Sequence, residues 1–162
     1  MKFGLFSWKS ARKTGLLALS LLLAAAPRAW GVGFEITDAS GNLIEPDAAI
    51  YSNNDGVLII SADELPSDKE VVISGDGKSI VVNGNGSDVN LTLKDLTVSA
   101  DSGKAFTLNA GGSKATIKID GPVTLNGGKN GAFGFGILAL KGAFVVLDAV
   151  SKGSILTVSG GK

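Results

Sequence analysis

"NLTLKDLTVSADSGKAFTLN", residues 90–109, places three apolar pairs within twenty residues: Leu91 with Leu93, Leu96 with Val98, and Phe106 with Leu108. One polar residue separates the members of each pair. That alternation marks a strand with one buried face. The links between pairs are short. Lys94-Asp95 joins the first two, and Asp120-Gly121-Pro122 holds the equivalent place further along. Pro122 has no N–H to give a mid-sheet ladder, so a corner suits it better than a strand interior.

The pairs recur at a near-constant interval. Ile80/Val82 match Phe106/Leu108 after 26 residues, and Leu91/Leu93 match Ile117/Ile119 after 26. Leu96/Val98 match Val123/Leu125 after 27 and then Leu156/Val158 after 33. Val71/Ile73 are expected to match Leu96/Val98 after 25, and Ile117/Ile119 to match Val145/Leu147 after 28. Upstream, "GVLIIS" (56–61) stands about one repeat before "SIVVNG" (79–84). Self-similarity at such a period is the signature of a solenoid. The expected architecture is all-β: a right-handed parallel β-helix of about four turns, each strand pairing with its counterpart one turn on. A β-sandwich is the competing architecture, since it also has many short strands.

The first 31 residues read differently. Lys2, Lys9, Arg12 and Lys13 precede the apolar run 15–26, followed by "PRAWG". This is the pattern of a secretory signal peptide, and the run is short for a membrane span. The chain is therefore expected to be secreted, with no membrane association after the leader is removed. Without residues 1–31 it has no Cys, His, Arg, Trp or Met, and ten Lys stand against fifteen Asp and Glu. A mildly acidic protein without Arg is a poor nucleic-acid partner. Thiol chemistry, His-assisted nucleophilic catalysis and arginine clamps are excluded as well.

Charge divides the remainder. Residues 32–76 carry ten acidic groups and one Lys, whereas 77–162 carry five acidic groups and nine Lys. The segment 32–69 is expected to hold an N-terminal cap and the first strand, its acids discouraging edge pairing. Residues 70–162 are expected to hold the repeats and to stop without a cap, as a truncated chain would. An uncapped edge permits end-to-end association.

Two columns of outward residues emerge when the repeats are aligned. Asp95, Asp120 and Asp148 each follow the last apolar residue of a strand, so a β-helix would bring them to one corner. Clustered carboxylates suit a hard cation such as calcium, although Asp is also an ordinary corner residue. Thr97, Thr124 and Thr157 form the other column. Three Thr are little surface for binding ice, and Thr is a common outward strand residue.

The succession "VNLTLKDLTVSADSGKAFTLNAGGSKATIKIDGPVTLNGG" and then "GILALKGAFVVLDAVSKGSILTVSGG" resembles secreted bacterial β-helix proteins of the pectate-lyase-like class. It is closest to those labelled carbohydrate-binding domains, and it is also similar to autotransporter passengers. The resemblance spans roughly residues 56–162. It implies polysaccharide binding outside the cell, with calcium at Asp-lined turns, and Asp95, Asp120 and Asp148 match by position type. Lyases of the class commonly use an Arg base, which is missing once the leader is removed. Tyr51, Phe133 and Phe135 are the aromatic residues expected to meet a sugar, since Phe106 falls in an inward register. The expected function is non-enzymatic polysaccharide binding. A stalk segment of an adhesin or autotransporter passenger is the alternative, and a polysaccharide lyase or hydrolase is a third.

Overall fold

A computed structural model describes residues 33–44, 51–65, 70–109, 112, 114–129, 134–140 and 142–161. The expected leader, residues 1–31, lies outside them. The class is all-β. The strands are β1 (Gly33–Asp38), β2 (Tyr51–Asn54), β3 (Val57–Ser61), β4 (Val71–Gly77), β5 (Ser79–Asn83), β6 (Val89–Ser99), β7 (Phe106–Asn109), β8 (Lys114–Asn126), β9 (Ile137–Ala139), β10 (Phe144–Ala149) and β11 (Ile155–Ser159). A short 3-10 turn, Ala62–Glu64, follows β3.

Two mixed sheets contain all of them. One runs β1-β4-β6-β8-β10, with β11 also on β8, and the other runs β2-β3-β5-β7-β9. Every pairing from β3 onward is parallel, and only β1 with β4 and β2 with β3 are antiparallel. Parallel neighbours cannot be joined by a tight turn. Each parallel pair therefore joins strands separated by an excursion of the chain into the other sheet.

Alternation decides which side chains turn inward. Along β6, Leu91, Leu93, Leu96 and Val98 are all at most 1% exposed. They lie beside Ile117, Ile119, Val123 and Leu125 of β8. Leu58, Ile80 and Phe106 stack in the same way across β3, β5 and β7, each fully buried. The core is thus a set of apolar columns one strand spacing apart, about 4.8 Å. Burying each such side chain contributes roughly 1.5–3 kcal/mol.

The register corrects two expected matches. Val71 and Ile73 pair with Leu91 and Leu93, not with Leu96 and Val98. β4 continues past Ile73 into Gly75-Asp76-Gly77, which pairs with Leu96-Thr97-Val98. Leu147 pairs with Ile117, and Ile119 takes Ala149.

The two ends differ. β1 covers one end with Phe34 and Ile36, which are 8% and 3% exposed. β2 and β3 form a hairpin whose two-residue turn is Asp55-Gly56, with φ of 50° and 75°. Positive φ at both positions defines the mirror-image turn that favours Asp-Gly. At the other end, Leu147 and Val158 occupy inward registers yet are 49% and 46% exposed.

Close backbone approach fixes the corner between β8 and β9. Gly128 N donates to Gly103 O at 3.0 Å, Gly127 N to Ser159 O at 2.8 Å, and Gly161 N to Gly134 O at 2.9 Å. A Cβ on Gly128 would overlap the Ser102 backbone. Gly128→Ala should therefore destabilise the fold by about 1–3 kcal/mol in chemical denaturation, the usual cost of overpacking. Gly153→Ala, where a Cβ meets nothing within 4 Å, should change stability by under about 0.5 kcal/mol.

Candidate functional site

The corner inside β6 is made without ending the strand. Asp95 adopts a left-handed backbone, φ 44°, and the register shifts between Lys94 and Leu96. Asp tolerates that conformation better than most residues. In β8 the same corner is Asp120-Gly121-Pro122, with Gly121 at φ 78°. Beyond it, Leu96 and Val98 face the core and Thr97 and Ser99 face out.

Parallel pairing carries this outward pattern through three strands. Thr97 lies beside Thr124, and Thr124 beside Thr157. Asp76 extends the row at its N-terminal end. A second row, Ser99, Asn126 and Ser159, runs alongside. Its members are hydrogen-bonded in sequence. Asn126 Nδ2 donates to Ser99 Oγ at 3.3 Å, and Ser159 Oγ donates to Asn126 Oδ1 at 2.6 Å. These bonds hold the amide in one orientation. The second sheet repeats the motif where Asn109 Nδ2 donates to Asn83 Oδ1 at 3.0 Å. Apart from Asp76, the two rows on the first sheet form an uncharged strip of hydroxyls and one amide. Each hydroxyl both donates and accepts, which suits a ligand rich in hydroxyls.

Charged groups lie on the neighbouring face. Glu70 accepts from Lys118 Nζ at 2.6 Å and from the buried Thr92 hydroxyl. Those two donors, Lys118 first, hold the Glu70 carboxyl below its ordinary value. Asp63 is lowered by the Ser87 hydroxyl at 2.5 Å and the Asn85 N–H at 3.0 Å, which ties the loop after β5 to the 3-10 turn. Lys78 stands between Asp55 at 3.2 Å and Asp101 at 3.6 Å, and its pKa is raised, chiefly by the hydrogen bond to Asp55. Asn53, Asp55, Gly56 and Lys78 line an open hollow there.

The three aspartates expected to share calcium are not brought into one row. Asp120 pairs with Lys94, whose ammonium is 3.5 Å from its carboxylate. Asp148 pairs with Lys118 and turns its carboxylate onto the N–H of Ala149 at 2.8 Å. Asp95 sits in the bulge beside Gly121, where a Cβ would strike its carboxylate. Among the described residues no three acidic side chains gather as a cation site. The donor set does not fit a shared calcium ion, because each acid faces a lysine or a backbone group instead.

The aromatic residues separate too. Tyr51 is 7% exposed, and its hydroxyl donates to Ile44 O at 2.6 Å, so its ring belongs to the core and offers no face to a sugar. Phe135 is 41% exposed, and its carbonyl accepts from Ala105 N at 3.0 Å. Phe133 lies outside the described residues. Sequence reading found the Thr row but missed Ser99, Asn126 and Ser159, and it missed Glu70, Thr92 and Lys118. The signal was available: Ser99, Asn126 and Ser159 each stand one residue after an inward apolar residue that the repeat had already aligned.

No protein-family model, curated protein or solved structure matches the chain.

The Glu70 cluster gives a pH dependence of known sign. Its folded-state pKa lies below the ordinary 4.5, so its stabilising contribution is full above that value and fades as pH falls through the lowered one. Glu70→Gln removes this component. Urea midpoints taken at about pH 6 and about pH 3 should converge in the variant relative to the unsubstituted protein. An equal acid loss in both proteins would assign it to other carboxylates.

Proposed function

We propose that this chain is a secreted right-handed parallel β-helix that binds polysaccharide along its uncharged strip without chemically altering it. The β-helix reading is supported by the unbroken parallel pairing from β3 onward, with inward apolar residues stacked at each turn. A right-handed crossover is the usual hand for parallel connections. The basic-apolar-small pattern of residues 1–31 supports secretion.

One observation carries the binding reading: Thr97, Thr124 and Thr157 run beside Ser99, Asn126 and Ser159, at one strand spacing per turn. An extended glycan lying along the helix axis meets a repeated set of donors and acceptors there. The amide is already oriented by its Ser neighbours, so little side-chain freedom is lost on binding. Asp76 is the one acid in these rows and no lysine lies in them, which favours a neutral chain over a polyanion.

Depletion from solution tests this. The protein should be removed by insoluble cellulose more than by cross-linked polygalacturonate, and chelator should not change the result. Thr124→Val keeps the β-branched shape and removes one hydroxyl. It should weaken binding roughly fivefold, the value of about one net hydrogen bond. No depletion of a folded protein by either polymer would overturn the reading for these glycans.

A further inference from the structure

We propose that Asn85-Gly86, in the loop after β5, is a site of spontaneous modification, where the Asn85 side chain closes onto the main chain and is hydrolysed to aspartate and isoaspartate. The proposal needs only this loop and its hydrogen bonds, and it is independent of glycan binding. Asn is a thermolabile residue. Its amide carbon lies within reach of the N–H of the residue that follows, and glycine hinders that approach least because it has no Cβ. Among the described residues Asn precedes Gly at Asn83, Asn85 and Asn126, and Asn130 lies outside them.

Hydrogen bonding separates the three pairs. Asn126 is held at every reacting point. Its Nδ2 donates to Ser99 Oγ at 3.3 Å, and its Oδ1 accepts from Ser159 Oγ at 2.6 Å. Gly127 N, the group that would attack, donates to Ser159 O at 2.8 Å. Asn83 is held at one point, where its Oδ1 accepts from Asn109 Nδ2 at 3.0 Å. Asn85 is exposed, and among the described residues nothing bonds to its side-chain amide or to Gly86 N–H. The bond it does make, from its own N–H to Asp63 Oδ1 at 3.0 Å, anchors the residue without engaging either reacting atom. Gly86 has φ 91°, and a Cβ built on it would meet nothing within 4 Å, so the ring has room to close.

The reaction needs only water. Gly86 N gives up its proton and bonds to Asn85 Cγ, while the Cγ–Nδ2 bond breaks and the nitrogen leaves as ammonia. Water then opens the cyclic imide. Breaking the bond from Gly86 N to Cγ yields aspartate, and breaking its bond to the main-chain carbonyl carbon yields isoaspartate. Either product places a carboxylate beside Asp63, which already accepts from Asn85 N and Ser87 Oγ. Isoaspartate also lengthens the main chain between those two donors. The modification therefore loosens, irreversibly, the tie between this loop and the 3-10 turn.

The test is peptide mapping of the full-length chain after incubation at mildly alkaline pH, both folded and in guanidinium, with cleavage at lysine. Asn83 and Asn85 fall on residues 79–94, where fragmentation tells them apart, whereas Asn126 falls on 119–129 and Asn130 on 130–141. The expected result is conversion of amide to acid at Asn85, with isoaspartate among the products. In the folded chain its rate should exceed that of Asn126 roughly tenfold or more, since more than one net hydrogen bond separates them. In guanidinium, where none of these bonds persists, the two should react at similar rates. Asn85→Gln, whose longer side chain closes a ring far less readily, should abolish conversion at that position and leave Asn126 unchanged. Amide hydrogen exchange at residues 85 and 87 should quicken in the converted protein. Equal rates at Asn85 and Asn126 in the folded chain would overturn the proposal, as would an Asn85 that stays intact when folded and reacts only in guanidinium. Unchanged hydrogen exchange after conversion would overturn the loosening.

Discussion

The parallel ladder that sets Leu91 beside Ile117 and Ile117 beside Leu147 governs the rest of this molecule. From β3 onward each strand pairs in parallel with one further along the chain, so those ladders close only after the chain has passed through the other sheet. Side chains must then match their counterparts one circuit away. Inward positions satisfy that demand with aliphatic residues of similar size. Outward positions inherit the same alignment without being asked to, and that is why Thr stacks on Thr and Ser on Asn. The polar strip is a by-product of register before it is a site.

The same constraint explains the two ends. A parallel stack has no internal reason to stop, and each terminal strand leaves an open edge. At the N-terminal end the chain reverses direction. β1 lies antiparallel on β4 and lowers Phe34 and Ile36 over the core, while the Asp55-Gly56 turn folds β2 back on β3. No such reversal covers β10 and β11 among the described residues. Leu147 and Val158, in inward registers on these strands, are correspondingly half-exposed.

Much of the fold was legible in the sequence, because apolar alternation survives wherever both members of a pair are large. Ile80/Val82 over Phe106/Leu108 and Leu96/Val98 over Val123/Leu125 were read in their observed registers. Reading failed where a core position is small. Ala115 stands beside Val145 and Ala149 beside Ile119, so the search slid by two residues to the nearest bulky pair. Gly75 and Gly77 hid the continuation of β4 around its corner, and β9, with only Ile137 and Ala139 in inward registers, offers no bulky apolar pair to match Phe106 and Leu108. The site was less legible. Tyr51 is named because few aromatic residues remain once Phe106 is placed inward, yet its ring is buried and its hydroxyl donates to Ile44 O. The Asp column failed because an aspartate after a strand marks a corner but not a register, and two of the three face lysines. Carrying the repeat alignment through to the residues between the apolar ones would have found Ser99, Asn126 and Ser159.

The claim on which everything rests is the register itself, and disulfide trapping tests it most directly. The chain has no cysteine, so any pair introduced is the only one. Thr97→Cys with Thr124→Cys joins paired residues on adjacent parallel strands, within the roughly 7 Å that a disulfide spans between Cα atoms. Thr97→Cys with Ser159→Cys joins residues two strands apart and displaced along them, beyond that limit. The register predicts rapid intramolecular oxidation of the first pair and none of the second. Failure of the first pair to close, or equal closure of both, would contradict the parallel stack.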